Sequence, residues 1–199
     1  MTYTIIEDCS PYYIRFTHDG LSDVIDYCKN IPLIDNDQTF IHHRLDKEQA
    51  NHLLSLTPVN KELSLKKNRV SFFVTKPGRY YRAHKDGMDT RISINYTIQI
   101  SDDKCVTSWY SDEDLKNYPI DNLASKSSRE CAGFVKENHI PLKSMIAKPN
   151  ECILFNTEIF HDFDNSQSYS TRVVLTLRID ETLRKDMYFE DVRKILFGF

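Results

Sequence analysis

His84 and Asp86 stand one residue apart in "YRAHKD" (81–86), at the end of a run rich in β-forming side chains. Residues i and i+2 of a strand point to one face, so an imidazole and a carboxylate emerge together. The turn residues "KDGMD" begin at that point and put the pair at the rim of a strand. His161, in "CILFNTEIFHDFDNS", follows another apolar run 75 residues beyond Asp86. Two imidazoles and one carboxylate on one side of a metal leave the opposite positions open. That arrangement suits non-haem Fe(II), which takes a co-substrate and then dioxygen. Arg172 comes 11 residues after His161, near the start of the last β-rich run. A guanidinium is always charged and forks onto a carboxylate through two parallel hydrogen bonds. At the inner end of a barrel it is placed to hold an anionic co-substrate.

Each of these residues has an ordinary alternative. One His among seven is commonly structural or exposed, and a strand Arg is commonly ion-paired at the surface. Arg91 lies too close to the His-x-Asp turn to replace Arg172, and Arg178 lies too far along the last strand. His42 and His43 have no carboxylate at ligand spacing and read as an exposed or strand-edge pair; His52 and His139 read likewise. Trp109, the only tryptophan, is expected at a substrate mouth, with the core as its alternative.

The elements that must carry these side chains follow from periodicity. "TYTIIE" (2–7) and "YYIRF" (12–16) read as strands. "LSDVIDYCKN" (21–30) sets Leu21, Val24, Ile25 and Cys28 along one helical stripe. "LDKEQANHLLSL" (45–56) reads as a second helix, with Asp46 as N-cap, Gln49 at the box position and Thr57-Pro58 as its stop. "QTFIHHRL" adds a short strand before it. From residue 69 the period changes to two, in "RVSFFVT" (69–75), "RYYRAH" (79–84), "RISINYTIQI" (91–100) and "CVTSWY" (105–110). Residues 111–143 are polar and carry no clean strand pattern. "CILF" (152–155) and "TRVVLTLRI" (171–179) resume the strands, and "EDVRKILFGF" closes the chain as a helix. Helices first and then a run of strands predict a mainly β fold, a sandwich or barrel with flanking helices.

One domain is expected over residues 1–199, with 1–68 as supporting strands and helices and 69–179 as the core. The polar insert 111–143 falls near the mouth, as a lid or as a solvated excursion, and 180–199 carries the C-terminal helix. Five scattered cysteines without a CxxC predict free thiols in a reducing compartment. The opening residues lack the basic and apolar stretches of a secretory leader, and no apolar run reaches the length of a membrane span, so a cytoplasmic location is expected. A net charge of −3 supplies no global pull toward nucleic acid or an anionic membrane. "KELSLKKNR" (61–69) reads as a solvated basic loop; only together with Arg79, Arg82 and Lys85 would its Lys66, Lys67 and Arg69 favour an acidic partner or nucleic acid.

"YRAHKD" (81–86), "PNECILFNTEIFH" (149–161) and "STRVVLTLRI" (170–179) together resemble the 2-oxoglutarate- and Fe(II)-dependent oxygenases, most of all the prolyl-4-hydroxylase-like branch. The likeness covers about residues 69–179. It implies a double-stranded β-helix (jelly-roll) core and an iron site of His84, Asp86 and His161. It also implies that Arg172 binds the distal carboxylate of 2-oxoglutarate, with Tyr81 and Asn95 in the same pocket. Fe(II), 2-oxoglutarate, O2 and ascorbate are the implied cofactors. The implied reaction is hydroxylation of an amino-acid, peptidyl or small-molecule substrate, with release of succinate and CO2. Two positions depart from the pattern: Asn150 replaces a turn Gly, which Asn tolerates in the left-handed conformation, and Val174 replaces a Ser found in some relatives. Two alternatives stay open: a non-catalytic β-barrel scaffold, and a cupin-like metalloenzyme that uses no 2-oxoglutarate and so needs no buried Arg172.

Overall fold

In the computed structural model the described residues are 2–33, 38, 40–86, 91–115, 139–180 and 187–199, with the backbone of 128–131. The elements follow in the order β1 (Tyr3–Cys9), β2 (Tyr13–His18), α1 (Leu21–Lys29), β3 (Phe40–Arg44), α2 (Lys47–Leu56) and α3 (Val59–Leu63). A 3-10 turn (Lys67–Arg69) leads into β4 (Ser71–Thr75), β5 (Arg79–Asp86), β6 (Ile92–Gln99) and β7 (Val106–Tyr110). Then come α4 (Asp112–Leu115), β8 (Ser128–Cys131), β9 (Lys143–Ile146), β10 (Cys152–Asn156), β11 (Phe160–Asn165), β12 (Arg172–Arg178) and α5 (Phe189–Phe197).

Two antiparallel sheets face each other, one of seven strands in the order β1-β2-β10-β6-β12-β4-β3 and one of five in the order β8-β5-β11-β7-β9. This is the expected mainly β, jelly-roll architecture with helices on its flank. The large sheet is read twice by its own alternation. On one face Phe16, Ile94, Leu154, Leu175, Leu177 and Phe72 join α1, α2 and α5 in a single apolar cluster. The other face turns toward the small sheet and carries Arg172, Val174, Thr176 and Arg178 of β12, paired in register with Thr75, Phe73 and Ser71 of β4 and with Asn95 and Ser93 of β6. All seven residues of β12 are buried, so its polar side chains are committed to the space between the sheets.

Local chemistry agrees with the sequence at the caps. Asp46 accepts from the Gln49 N–H at 2.8 Å and the Gln49 side chain answers the Asp46 N–H at 3.2 Å, a complete capping box. Asn150 takes φ 61°, the left-handed conformation required where a Gly was expected. β11 is a strand that propensity conceals, since "FHDFDN" carries two Asp and an Asn. Its buried Asp162 is satisfied by the Ser108 N–H at 3.0 Å and the Tyr110 hydroxyl at 2.6 Å, both on β7. Asn165 donates to the carbonyls of Lys76 and Ser170.

Pairing of β5 with β11 contains a bulge. His84 lies opposite His161, but Phe163, two residues on, lies opposite Tyr81, three residues back. The extra residue re-aims the strand, as bulges beside functional sites commonly do. Tyr81 thereby shares the inner face with His84 and Asp86.

Candidate metal centre

The end of β5 and the start of β11 bring His84, Asp86 and His161 together. One ligand atom from each lies within 4.8 Å of the other two. The two imidazoles are cross-strand neighbours with ring centroids 4.5 Å apart, and His84 Nε2 stands 3.7 Å from Asp86 Oδ1. Each ring is oriented from behind: His84 Nδ1 is 3.0 Å from the Arg82 carbonyl oxygen and His161 Nδ1 is 2.8 Å from that of Ile159. A carbonyl only accepts, so Nδ1 carries the proton and Nε2 presents its lone pair to the shared space.

Electrostatics keep both rings neutral. Burial lowers the His84 pKa against the opposing pull of Asp86. Burial, then the adjacent His84, take that of His161 well below the ordinary histidine range. Neutral imidazoles and an adjacent carboxylate are the protonation states a divalent cation requires. The residues fit a two-His, one-carboxylate iron site on donor type, tautomer and convergence.

These three side chains open into a cavity of about 50 Å³. Its wall includes Tyr81, Ser93, Asn95, Thr75, Thr176, Phe163, Arg172 and Arg178. The Tyr81 ring meets His84 edge to face at 4.7 Å. The Asn95 side-chain oxygen is buried without a partner. Arg172 is 4% exposed, and its guanidinium lies 4.8 Å above the Phe163 ring, which is itself 5.6 Å from the His161 ring. Among the described residues it makes no hydrogen bond or ion pair, and its buried Nε is unsatisfied. Thr75 lies directly across from it on β4.

Two sequence expectations change. Arg178 is not too far along β12: it lines the same cavity, with Nη2 3.6 Å from Asp86 Oδ2. Side chains two residues apart on one strand share a face, so position along β12 selects a depth in the cavity and does not remove a residue from it. Trp109 does not line a mouth. It is fully buried and stacks on Tyr13 at 5.0 Å and against Phe155 at 5.0 Å, filling the space between the sheets beside the cavity. His42 and His43 lie on β3, an edge strand. Most of the insert expected to act as a lid, residues 116–127 and 132–138, lies outside the described residues.

No protein-family model and no curated protein matches the chain. The structure is similar to HygX from Streptomyces hygroscopicus with nickel, 2-oxoglutarate and hygromycin B bound, with a TM-score of 0.52 at 8% identity, over 83% of this chain and 81% of that one. It is also similar to the iron-bound form of HygX, with a TM-score of 0.51 at 9% identity over 83% and 81%. A third likeness is to the epimerase SnoN in complex with Fe3+, alpha ketoglutarate and nogalamycin RO, with a TM-score of 0.50 at 9% identity over 85% and 79%. At such identity the likeness establishes the fold. No helix among the described residues is long and apolar enough to cross a membrane.

Proposed function

We propose that this chain is an Fe(II)- and 2-oxoglutarate-dependent oxygenase that acts on a small-molecule, amino-acid or peptidyl substrate, with the prolyl-4-hydroxylase-like branch as its nearest pattern. The observation that carries this reading is Arg172. A guanidinium this buried and unpaired is strongly unfavourable unless an anion fills the space before it. A carboxylate reaching from the metal toward Arg172 supplies that partner. Fold likeness to proteins whose structures hold iron or nickel with 2-oxoglutarate supports the same reading.

His84, Asp86 and His161 hold the iron, and Arg178 beside Asp86 fixes the carboxylate. Arg172 forks onto the distal carboxylate of 2-oxoglutarate. Thr75, opposite it, offers the hydroxyl that Val174 lacks, and Asn95 and Tyr81 orient the remainder. Phe73, Phe155 and Phe163 keep the inner wall apolar and exclude water. When bound, iron and 2-oxoglutarate couple oxidative decarboxylation to succinate and CO2 with insertion of one oxygen atom of O2 into a substrate C–H bond. A cupin-like enzyme without 2-oxoglutarate leaves Arg172 unexplained, and a scaffold leaves the metal ligands unexplained.

Mixing the protein anaerobically with Fe(II) and 2-oxoglutarate is expected to produce a weak visible charge-transfer band. His84→Ala should remove metal binding and the band together. A folded protein that shows no band under these conditions defeats the proposal.

A further inference from the structure

We infer that Phe163 is a positioning residue for the co-substrate: its ring face holds the Arg172 guanidinium in the orientation that receives a carboxylate. This rests on the oxygenase reading, and it assigns Phe163 more than the exclusion of water.

Little else holds Arg172. Burying an arginine removes much rotamer freedom, so its planar head needs a contact that keeps it in one place. Among the described residues Arg172 makes no hydrogen bond or ion pair, and its buried Nε is unsatisfied. The register of β12 with β6 starts at Val173 and slips between Val173 and Val174, which leaves Arg172 paired with Thr75 of β4 alone. The remaining contact is the Phe163 ring, whose centroid lies 4.8 Å from the guanidinium carbon. A cation over an aromatic face is attracted by the ring quadrupole, more strongly where water is excluded. The contacts of Arg193 with Phe199 and of Arg91 with Tyr188 rest on exposed rings. The Arg172 contact lies between the sheets, where solvent weakens it least.

The ring is itself clamped. Phe163 follows His161 by two residues on β11, whose register with β7 runs unbroken from Phe160 to Asp164, so both side chains share one face. Phe155 stacks on the Phe163 ring at 6.0 Å with planes 25° apart, and the His161 ring meets it edge to face at 5.6 Å. The His84 ring stands 6.0 Å away. These neighbours fix the plane of Phe163, and that plane sets where the guanidinium lies. One strand thus carries a proposed iron ligand and the support of the proposed co-substrate anchor. Their spacing, two residue steps of roughly 3.3 Å each, governs how far a dicarboxylate must reach from the metal.

The test is calorimetric binding of 2-oxoglutarate to the Ni(II)-loaded full chain. Phe163→Leu keeps an apolar side chain and removes the ring; it should weaken 2-oxoglutarate about tenfold. Pentafluorophenylalanine at position 163 keeps the shape and reverses the quadrupole. It should weaken 2-oxoglutarate to a similar extent and leave Ni(II) affinity unchanged, whereas a role in packing alone would leave both unchanged. In an Arg172→Leu background, Phe163→Leu should add no further loss, because its effect passes through the guanidinium. Full affinity in the pentafluorophenylalanine chain, or an equal loss from Phe163→Leu with and without Arg172, overturns the inference while the oxygenase reading stands. If the Ni(II)-loaded parent chain binds no 2-oxoglutarate, both fall together.

Discussion

Arg15 and Arg172 project from the same face of the same sheet and are 8% and 4% exposed, yet their surroundings are opposite. Arg15 on β2 is met from both sides. Its Nε and Nη2 donate to Glu151 at 2.8 and 2.6 Å and its Nη1 donates to Glu7 at 3.0 Å. Arg172 on β12 lies over a phenylalanine ring and lines the cavity. Among the described residues, carboxylates meet the buried guanidinium at one end of this sheet and none meets the one at the other. The first is a tie between strands; under the proposed function the second is half of a pair whose other half is the co-substrate.

The contrast is testable by the same substitution at both places. Arg15→Met should cost about 3–5 kcal/mol of stability in denaturant titration, because it strands Glu151 as an unpaired buried charge. Arg172→Met should leave stability without ligand unchanged or higher, while 2-oxoglutarate affinity by calorimetry falls by about 2–4 kcal/mol. Similar destabilisation by the two variants would dissolve the distinction.

Arg178 sharpens it from a third position, since its neighbour Asp86 belongs to the proposed metal set. Arg178→Met should lower metal affinity roughly 10–100-fold in competition with a chelator, with partial rescue by Arg178→Lys. The smallest effect concerns pH. Burial depresses the pKa of both His84 and His161 in the folded chain, so the unfolded chain binds more protons there. Stability is then fully present above about pH 6.5, the unfolded value, and declines as pH falls below it. The denaturation midpoint should therefore drop between about pH 7 and about pH 5, and the His84→Gln, His161→Gln double variant should show a shallower slope.

Much of this was legible from residue order because β12 states both of its faces. Val173, Leu175 and Leu177 declare the helix-facing side, and Arg172 and Thr176 declare the cavity. The clustering of His84 and Asp86 was legible because residues i and i+2 need only a strand to share a face. β11 was not, because Asp162 and Asn165 are tolerated there only through partners on distant strands. Trp109 was misplaced because an isolated aromatic carries no information about depth; its stacking partner Tyr13 lies almost a hundred positions earlier. Arg178 was passed over because separation along a chain was taken for separation in space.

The bulge between Tyr81 and His84 has a wider consequence. A perfect two-residue beat through β5 would place Tyr81 and His84 on opposite sides, so one additional residue resets the phase midway. Everything upstream of Ala83 therefore keeps time with the second half only through that offset. Removing a single residue there, with every side chain of the site retained, should turn Tyr81 out of the cavity.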